Sequence, residues 1–232
     1  ITFGNMVYSS DKPLSIICSD KILGTVLNGM GKPLSGGGHK FYETPIPINH
    51  TSVNPLNRPR IKKNIQTGVR AIDGLLTVGK GQRMAIMSGT GVGKSTLLSM
   101  IARNTNADVN VIALIGERRR EVLDFIERDL GEEGLKRSVV VVATSDDAPL
   151  LRVRAAYTAT TIAEYFRDQG KDVMFMVDSV TRFALAQREI GLSRGEPPTT
   201  RGYTPSVFSE LAQLLERTGT SSKGTITAFY NV

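Results

Sequence analysis

Three apolar runs constrain this chain more than any other feature. Val109–Ile115, Val139–Val142 and Val173–Val177 are each long enough for a strand, and they lack the polar alternation of a sheet with one wet face. A strand that is apolar at nearly every position is covered on both sides. Between the runs lie stretches with helical spacing: Arg118–Leu130, with Val122, Phe125 and Ile126 on one side, and Leu150–Arg167. Strands alternating with helices predict an α/β fold, a parallel sheet with helices on both faces. The pattern extends both ways. Met84–Met87 reads as a strand and Lys94–Arg103 as a helix with Leu97, Leu98 and Ile101 inward. Ser179–Ile190 reads as a helix capped by Ser179, Ser206–Arg217 as another helix, and Thr225–Val232 as a last strand.

The texture before residue 60 is different. Ile16–Cys18 and Ile22–Leu27 read as short strands of a small β unit over residues 1–27. Residues 28–60 hold Gly29, Gly31, Pro33, the Gly36–Gly38 run and Pro45, Pro47, Pro55 and Pro59, which predicts a linker. Residues 61–232 then form the main domain. With 232 residues, 40% of them hydrophobic and 22% charged, the chain is neither a disordered tail nor a membrane bundle. No apolar run approaches the roughly 18 residues of a membrane span, and no secretory n-region or h-region is present. The single cysteine, Cys18, excludes an internal disulfide framework, fits a reducing compartment and reads as a core residue.

The net charge of +7 is uneven: residues 1–116 carry 13 basic and 5 acidic side chains. Such a balance suits nucleic acid, acidic lipid or a phosphate-bearing ligand. The basic cluster Arg58, Arg60, Lys62 and Lys63 has no interleaved aromatics, which weakens the nucleic-acid reading. His39 and His50 lack metal-ligand spacing.

The strongest chemical signal is Gly89-Thr90-Gly91-Val92-Gly93-Lys94-Ser95-Thr96, between a strand and a helix. That context is the one a phosphate-binding P-loop needs. The glycines let consecutive N–H groups turn inward around phosphate oxygens, and the helix N-terminus adds partial positive charge. Lys94 is placed to reach β- and γ-phosphates, and the Ser95 hydroxyl to bind Mg²⁺. Ser88 stands where the general pattern has glycine. The second signal is Asp178, which ends an apolar strand as a Walker B carboxylate does and is placed to order the Mg²⁺ shell. The plain alternative for Asp178 is a helix cap. The third is Glu117, after the strand Val109–Ile115, where a carboxylate can activate a water. The alternative is a glutamate favoured by the dipole of the following helix. Arg118, Arg119 and Arg120 follow it, one of them placed to face phosphates. Gly195–Pro205 reads as a constrained loop.

Together these stretches resemble the ATPase of bacterial type III protein export, in its flagellar or injectisome branch. The resemblance is carried by Gly68–Leu76, Ser88–Thr96, Ile115–Arg118, Glu121-Val122 with Asp124–Glu127, Asp178–Ala184, Gln187–Glu189, Gly195–Phe208 and Thr225–Tyr230. Upstream, Leu23–Gly29 and Gly31–Leu34 fit the junction after that family's N-terminal barrel. The resemblance implies a RecA/F1-like P-loop domain preceded by a partial β-barrel, related to the catalytic subunit of rotary ATP synthases. It implies ATP and Mg²⁺ as substrate and cofactor, Glu117 as the water-activating residue and Arg118 as its phosphate-side neighbour. It further implies a homo-oligomer, a hexameric ring, with export chaperones, export substrates, and stalk and regulator proteins as partners. No specific nucleic acid is implied, and the place is cytoplasmic, peripheral to the inner membrane.

Arg119, where the family has Gly, and Ser193-Arg194 before Gly195 depart from the pattern without removing a catalytic group. The chain is expected to begin inside a barrel and to stop inside a sheet. The arginine finger and the adenine-stacking aromatic are then expected outside it. The flagellar branch is preferred to the injectisome branch. A ring-type nucleic-acid translocase and a noncatalytic nucleotide-binding subunit are the other classes these motifs allow.

Overall fold

The apolar runs assemble into one sheet. A computed structural model describes residues 4–6, 8, 9, 11–34, 45–49, 53–89 and 91–232. Thr90, Gly36–Gly38, His39 and His50 lie outside the described residues. The strands are β1 Ser15–Ile16, β2 Val26–Asn28, β3 Ile46–Pro47, β4 Asn64–Ile65, β5 Val78–Gly79, β6 Arg83–Ile86, β7 Val109–Glu117, β8 Ser138–Thr144, β9 Asp172–Asp178, β10 Gly219–Thr220 and β11 Thr225–Asn231. The helices are α1 Arg70–Leu75, α2 Lys94–Asn104, α3 Arg119–Asp124, α4 Gly131–Lys136, α5 Pro149–Asp168, α6 Val180–Ser193 and α7 Pro205–Glu216. A π-helical turn, Phe125–Leu130, continues α3, and Gly131 at φ +67° ends it.

Seven strands form the central sheet, in the order β10-β11-β9-β7-β8-β2, with β6 also on β11. All pairings are parallel except β10 with β11. Alternate residues feed two separate cores. Val111, Ala113 and Ile115 of β7 join Val173, Phe175 and Val177 of β9 in the layer beneath α5 and α6. Ile112 and Leu114 join Met174 and Met176 in the other layer, against Leu98 and Ile101 of α2 and Val122 and Phe125. Each such fully buried side chain stabilises the fold by about 1.5–3 kcal/mol. This is why the runs show no polar alternation: both faces of the sheet are dry.

The segment before residue 60 differs from expectation. Ile22–Leu27 is not one strand. Asp20–Ile22 is a 3₁₀ turn capped by Ser19, and Gly24 at φ +78° reverses the chain before β2 begins at Val26. β2 then pairs with β8 as the outer strand of the central sheet. Leu27 packs into one core layer and Val26 into the other. The stretch expected as part of a barrel thus supplies a sheet strand, because two adjacent apolar residues need both faces covered. The boundary drawn at residue 27 falls inside that strand. The expected linker is also tied down. Ile48 is buried, and its carbonyl accepts a hydrogen bond from Arg217 at 2.7 Å. Arg58 donates to the Thr218 carbonyl at 2.8 Å.

The Gly68–Leu76 motif links this region to α2. The Asp73 carboxylate accepts hydrogen bonds from the Thr67 N–H and hydroxyl and from the Gly68 N–H. Gly68, at φ +75°, sits so close to Asn104 that a Cβ would fall 2.2 Å from the Asn104 Cβ. Only glycine permits both the backbone angle and the contact.

Candidate active site

β6, β11, β9 and β7 run parallel, so their carboxyl ends share one edge of the sheet. Ligands of open α/β sheets bind along such an edge. Gly91 and Gly93 adopt φ of +80° and +93°, which turns the loop so that α2 opens at Lys94. The Lys94 ammonium donates to the carbonyl oxygens of Ser88 and Val232, each at 3.0 Å, and so spans the ends of β6 and β11. The Ser95 hydroxyl donates to Oδ2 of Asp178 at 2.9 Å. Asp178 itself is buried at the end of β9. A hydroxyl and a carboxylate in contact are hard oxygen donors. They suit Mg²⁺, which takes few protein oxygens and fills its shell with phosphate and water.

Glu117 ends β7 at a bulge, where the register against β8 slips between Ile115 and Glu117. Gly116 has φ +71°, and a Cβ there would lie 2.7 Å from Cδ of Arg182. The missing side chain therefore makes room for the Arg182 stem, whose Nε lies 3.2 Å from Oε1 of Glu117. The Glu117 side chain is 17% exposed. Burial, the hydrogen bond with Glu121 and the charge of Asp178 push its carboxyl up to about 7, against the opposing pull of Arg182. That hydrogen bond holds Glu121 below its ordinary value, with Arg118 nearby at 3.7 Å. Two carboxylates in contact do not both ionise easily, so the pair raises the more buried Glu117 and lowers Glu121.

Gly89, Gly91, Gly93, Lys94, Ser95, Thr96, Glu117, Arg118 and Asp178 all line one cleft of about 800 Å³. Val92 is 66% exposed and does not line it. Thr90 lies outside the described residues. The Arg118 side chain is 79% exposed at the rim, and Arg119 turns away to pair with Asp146 at 2.6 Å. The cation that reaches Glu117 is Arg182, which no motif in the sequence marks for that role. Glu121 is likewise unmarked. The signal present was position. Each lies near the start of the helix that follows a strand ending in one of the two carboxylates, Arg182 in α6 after Asp178 and Glu121 in α3 after Glu117.

A glycine-turned loop opening a helix, a lysine across its mouth and a serine–aspartate pair beneath it define a P-loop nucleotide-binding domain. The chain belongs to the ATP synthase alpha/beta family, whose nucleotide-binding domain matches residues 68–232. It is 59% identical over 229 residues to the flagellum-specific ATP synthase of Bacillus subtilis (strain 168), covering 99% of this chain and 52% of that protein. It is 56% identical over 221 residues to the type 3 secretion system ATPase of Xanthomonas euvesicatoria, covering 95% of this chain and 50% of that protein. Among solved structures it resembles the assembled ATPase EscN from the enteropathogenic E. coli type III secretion system. The TM-score there is 0.91 at 49% identity, over 97% of this chain and 54% of that one. A prototypical ATPase from the type III secretion system of pathogenic bacteria matches with a TM-score of 0.90 at 51% identity, over 94% of this chain and 63% of that one. The chain thus spans about half the length of the curated relatives it matches. Among the described residues, no helix is long and apolar enough to cross a membrane.

Proposed function

We propose that the protein hydrolyses MgATP to drive bacterial type III protein export, in the flagellar branch ahead of the injectisome branch. The observation that carries this reading is the placement of Glu117, a half-sheltered carboxyl on the strand beside Asp178, facing the cleft that holds Lys94 and Ser95. The similarity to flagellum-specific ATP synthases and type 3 secretion ATPases supports it.

In this mechanism the loop backbone from Gly89 to Gly93 cradles the phosphates. Lys94 leaves the carbonyls of Ser88 and Val232 and moves onto the β- and γ-phosphate oxygens. Ser95 and Asp178 would hold Mg²⁺, which supplies positive charge to the triphosphate. Glu117, once ionised, accepts a proton from the attacking water, and Arg182 fixes the direction of its carboxylate. Arg118, at the rim, adds positive charge toward the phosphates.

EscN is described as assembled and in complex with its central stalk EscO. By similarity we read this protein as a subunit of a homo-oligomeric, hexameric ring. The proposed ring works in the cytoplasm at the inner-membrane export gate, with a stalk, regulators, export chaperones and their substrates as partners.

Three measurements test the reading. Calorimetric titration of the protein with MgATP is expected to show binding that Lys94→Ala weakens at least about tenfold, the loss of one charge-assisted contact. Hydrolysis by the intact protein is expected to be unchanged by RNA or single-stranded DNA; strong stimulation would favour a nucleic-acid translocase instead. The pH profile follows from Glu117. Its carboxyl titrates near 7, and the ionised form is the base. The kcat/KM for MgATP should therefore rise as pH increases through about 7 and level off above about 8. A flat profile from pH 6 to 8 would remove Glu117 as the titrating base.

A further inference from the structure

Beneath the phosphate loop lies a pair of polar side chains that the mechanism above does not use. Asn231, the last residue of β11, is fully buried, and among the described residues neither its amide nitrogen nor its amide oxygen has a hydrogen-bond partner. Among the described residues the buried Ser88 hydroxyl oxygen has no hydrogen-bond partner either. Buried polar groups are almost always paired, so two orphans in one place call for a cause.

Strand register puts the two at the same end of the sheet. Asn231 is aligned with Ile86 on β6, and the Val232 N–H donates to the Ile86 carbonyl at 3.0 Å. Along β11, Phe229 packs into the core layer shared with α2, as do Met176 on β9 and Met84 and Ile86 on β6. Side chains alternate along a strand, so Asn231 and Asp178 face that same layer. Ser88, two residues past Ile86, lies at the same end of β6. Asn231 is thus flanked by the strand that enters the phosphate loop and by the strand that ends in Asp178. Directly beside it, one ammonium, that of Lys94, occupies the carbonyls of both Ser88 and Val232.

We propose that Asn231 is a positioning residue for the phosphate loop, acting through Ser88. When Lys94 moves onto a phosphate oxygen, those two carbonyls lose their donor. Asn231 Nδ2 then donates to the Ser88 carbonyl, and the Ser88 hydroxyl donates to Asn231 Oδ1. In the loop closed on nucleotide the Ser88 carbonyl and hydroxyl and the Asn231 amide are paired, whereas with Lys94 on the carbonyls the hydroxyl and the amide are not. Nucleotide binding is strengthened by that difference. This rests on the reading of the loop as an MgATP site, and it explains why serine rather than glycine serves at position 88: the hydroxyl is one half of the pair.

The experiment is thermal unfolding of the intact protein, with and without MgADP, which binds without turnover, for Asn231→Leu, Asn231→Ala, Ser88→Ala and the double variant Ser88→Ala with Asn231→Ala. Asn231→Leu is expected to unfold at the same or a higher temperature than the unsubstituted protein without nucleotide, since an unpaired amide has been removed. Its nucleotide-induced upward shift should shrink, corresponding to affinity weakened about tenfold. Should the larger leucine not fold, Asn231→Ala carries the same expectation for the nucleotide-induced shift. The double variant should lose no more nucleotide affinity than either single one, because the two groups act as a unit. Equal nucleotide shifts in the Asn231 variants and the unsubstituted protein would overturn the proposal. So would additive losses, or a marked fall in stability of Asn231→Leu without nucleotide, which would reveal a standing partner for the amide. No shift in the unsubstituted protein would instead overturn the nucleotide reading, and the proposal with it.

Discussion

Replacing Glu117 by glutamine is expected to lower the turnover number for ATP hydrolysis by about 10²–10⁴-fold, the usual contribution of a positioned general base. The substitution keeps the size of the side chain and leaves an oxygen that can still accept from Arg182 Nε, now 3.2 Å from the carboxylate. What it removes is the ability to take a proton. Nucleotide affinity should stay within a few-fold, because Lys94, Ser95 and the loop backbone are untouched. The residual activity should also lose the rise through pH 7, since the group that titrates there is gone. Steady-state kinetics and nucleotide-induced thermal shift, run on the same preparation, separate the two effects. If turnover persists at the original rate, Glu117 is not the base; nucleotide binding without turnover in the unsubstituted protein would mark a noncatalytic subunit.

The second large effect concerns stability and lies on the opposite face of the sheet. Arg217, just past α7, is buried with Glu164 of α5; their side chains are 3% and 4% exposed. Arg217 donates through Nε to Oε1 of Glu164 at 3.1 Å, through Nη2 to the Thr161 hydroxyl at 2.9 Å and through Nη1 to the Ile48 carbonyl at 2.7 Å. Its guanidinium also lies 5.8 Å from the centre of the Tyr157 ring. One side chain therefore joins α5, the end of α7 and the segment after β3. Arg217→Leu removes the cation in direct contact with the buried Glu164 carboxylate and leaves Arg167 at 3.9 Å. Breaking a buried pair from one side costs about 3–5 kcal/mol. Denaturant unfolding should show that loss. Adding Glu164→Leu should recover part of it, because the stranded charge goes with the carboxylate. A loss below about 1 kcal/mol would place this pair with surface ion pairs in its energetic weight.

Much of the architecture was legible along the chain. Val109–Ile115, Val139–Val142 and Val173–Val177 became β7, β8 and β9, and the stretches between them became helices. Their local pattern is a direct consequence of burial on both faces. The phosphate loop was legible for the same reason: positive φ at Gly91 and Gly93, the start of α2 at Lys94 and the serine beside it are set by neighbours in sequence. β2 was misread because Ile22–Leu27 looks strand-like throughout. A glycine turn and a capped 3₁₀ turn outweigh β-propensity there, and the pairing that retains Val26 and Leu27 lies more than a hundred residues away on β8.

The sequence by itself determined that this protein carries a parallel sheet, a phosphate-binding loop, and acidic groups at Glu117 and Asp178 after two of the strands. Those features depend on periodicity and on turn chemistry, which act over a few residues. Tertiary structure alone decided which cation faces Glu117, since Arg182 reaches it through the space left by Gly116, while Arg118 beside it in sequence stays at the exposed rim of the cleft. It alone set Asn231 beneath the loop that Ser88 enters. Both outcomes come from strand register between segments far apart in the chain, and the order in which strands pair is a property of the whole sheet.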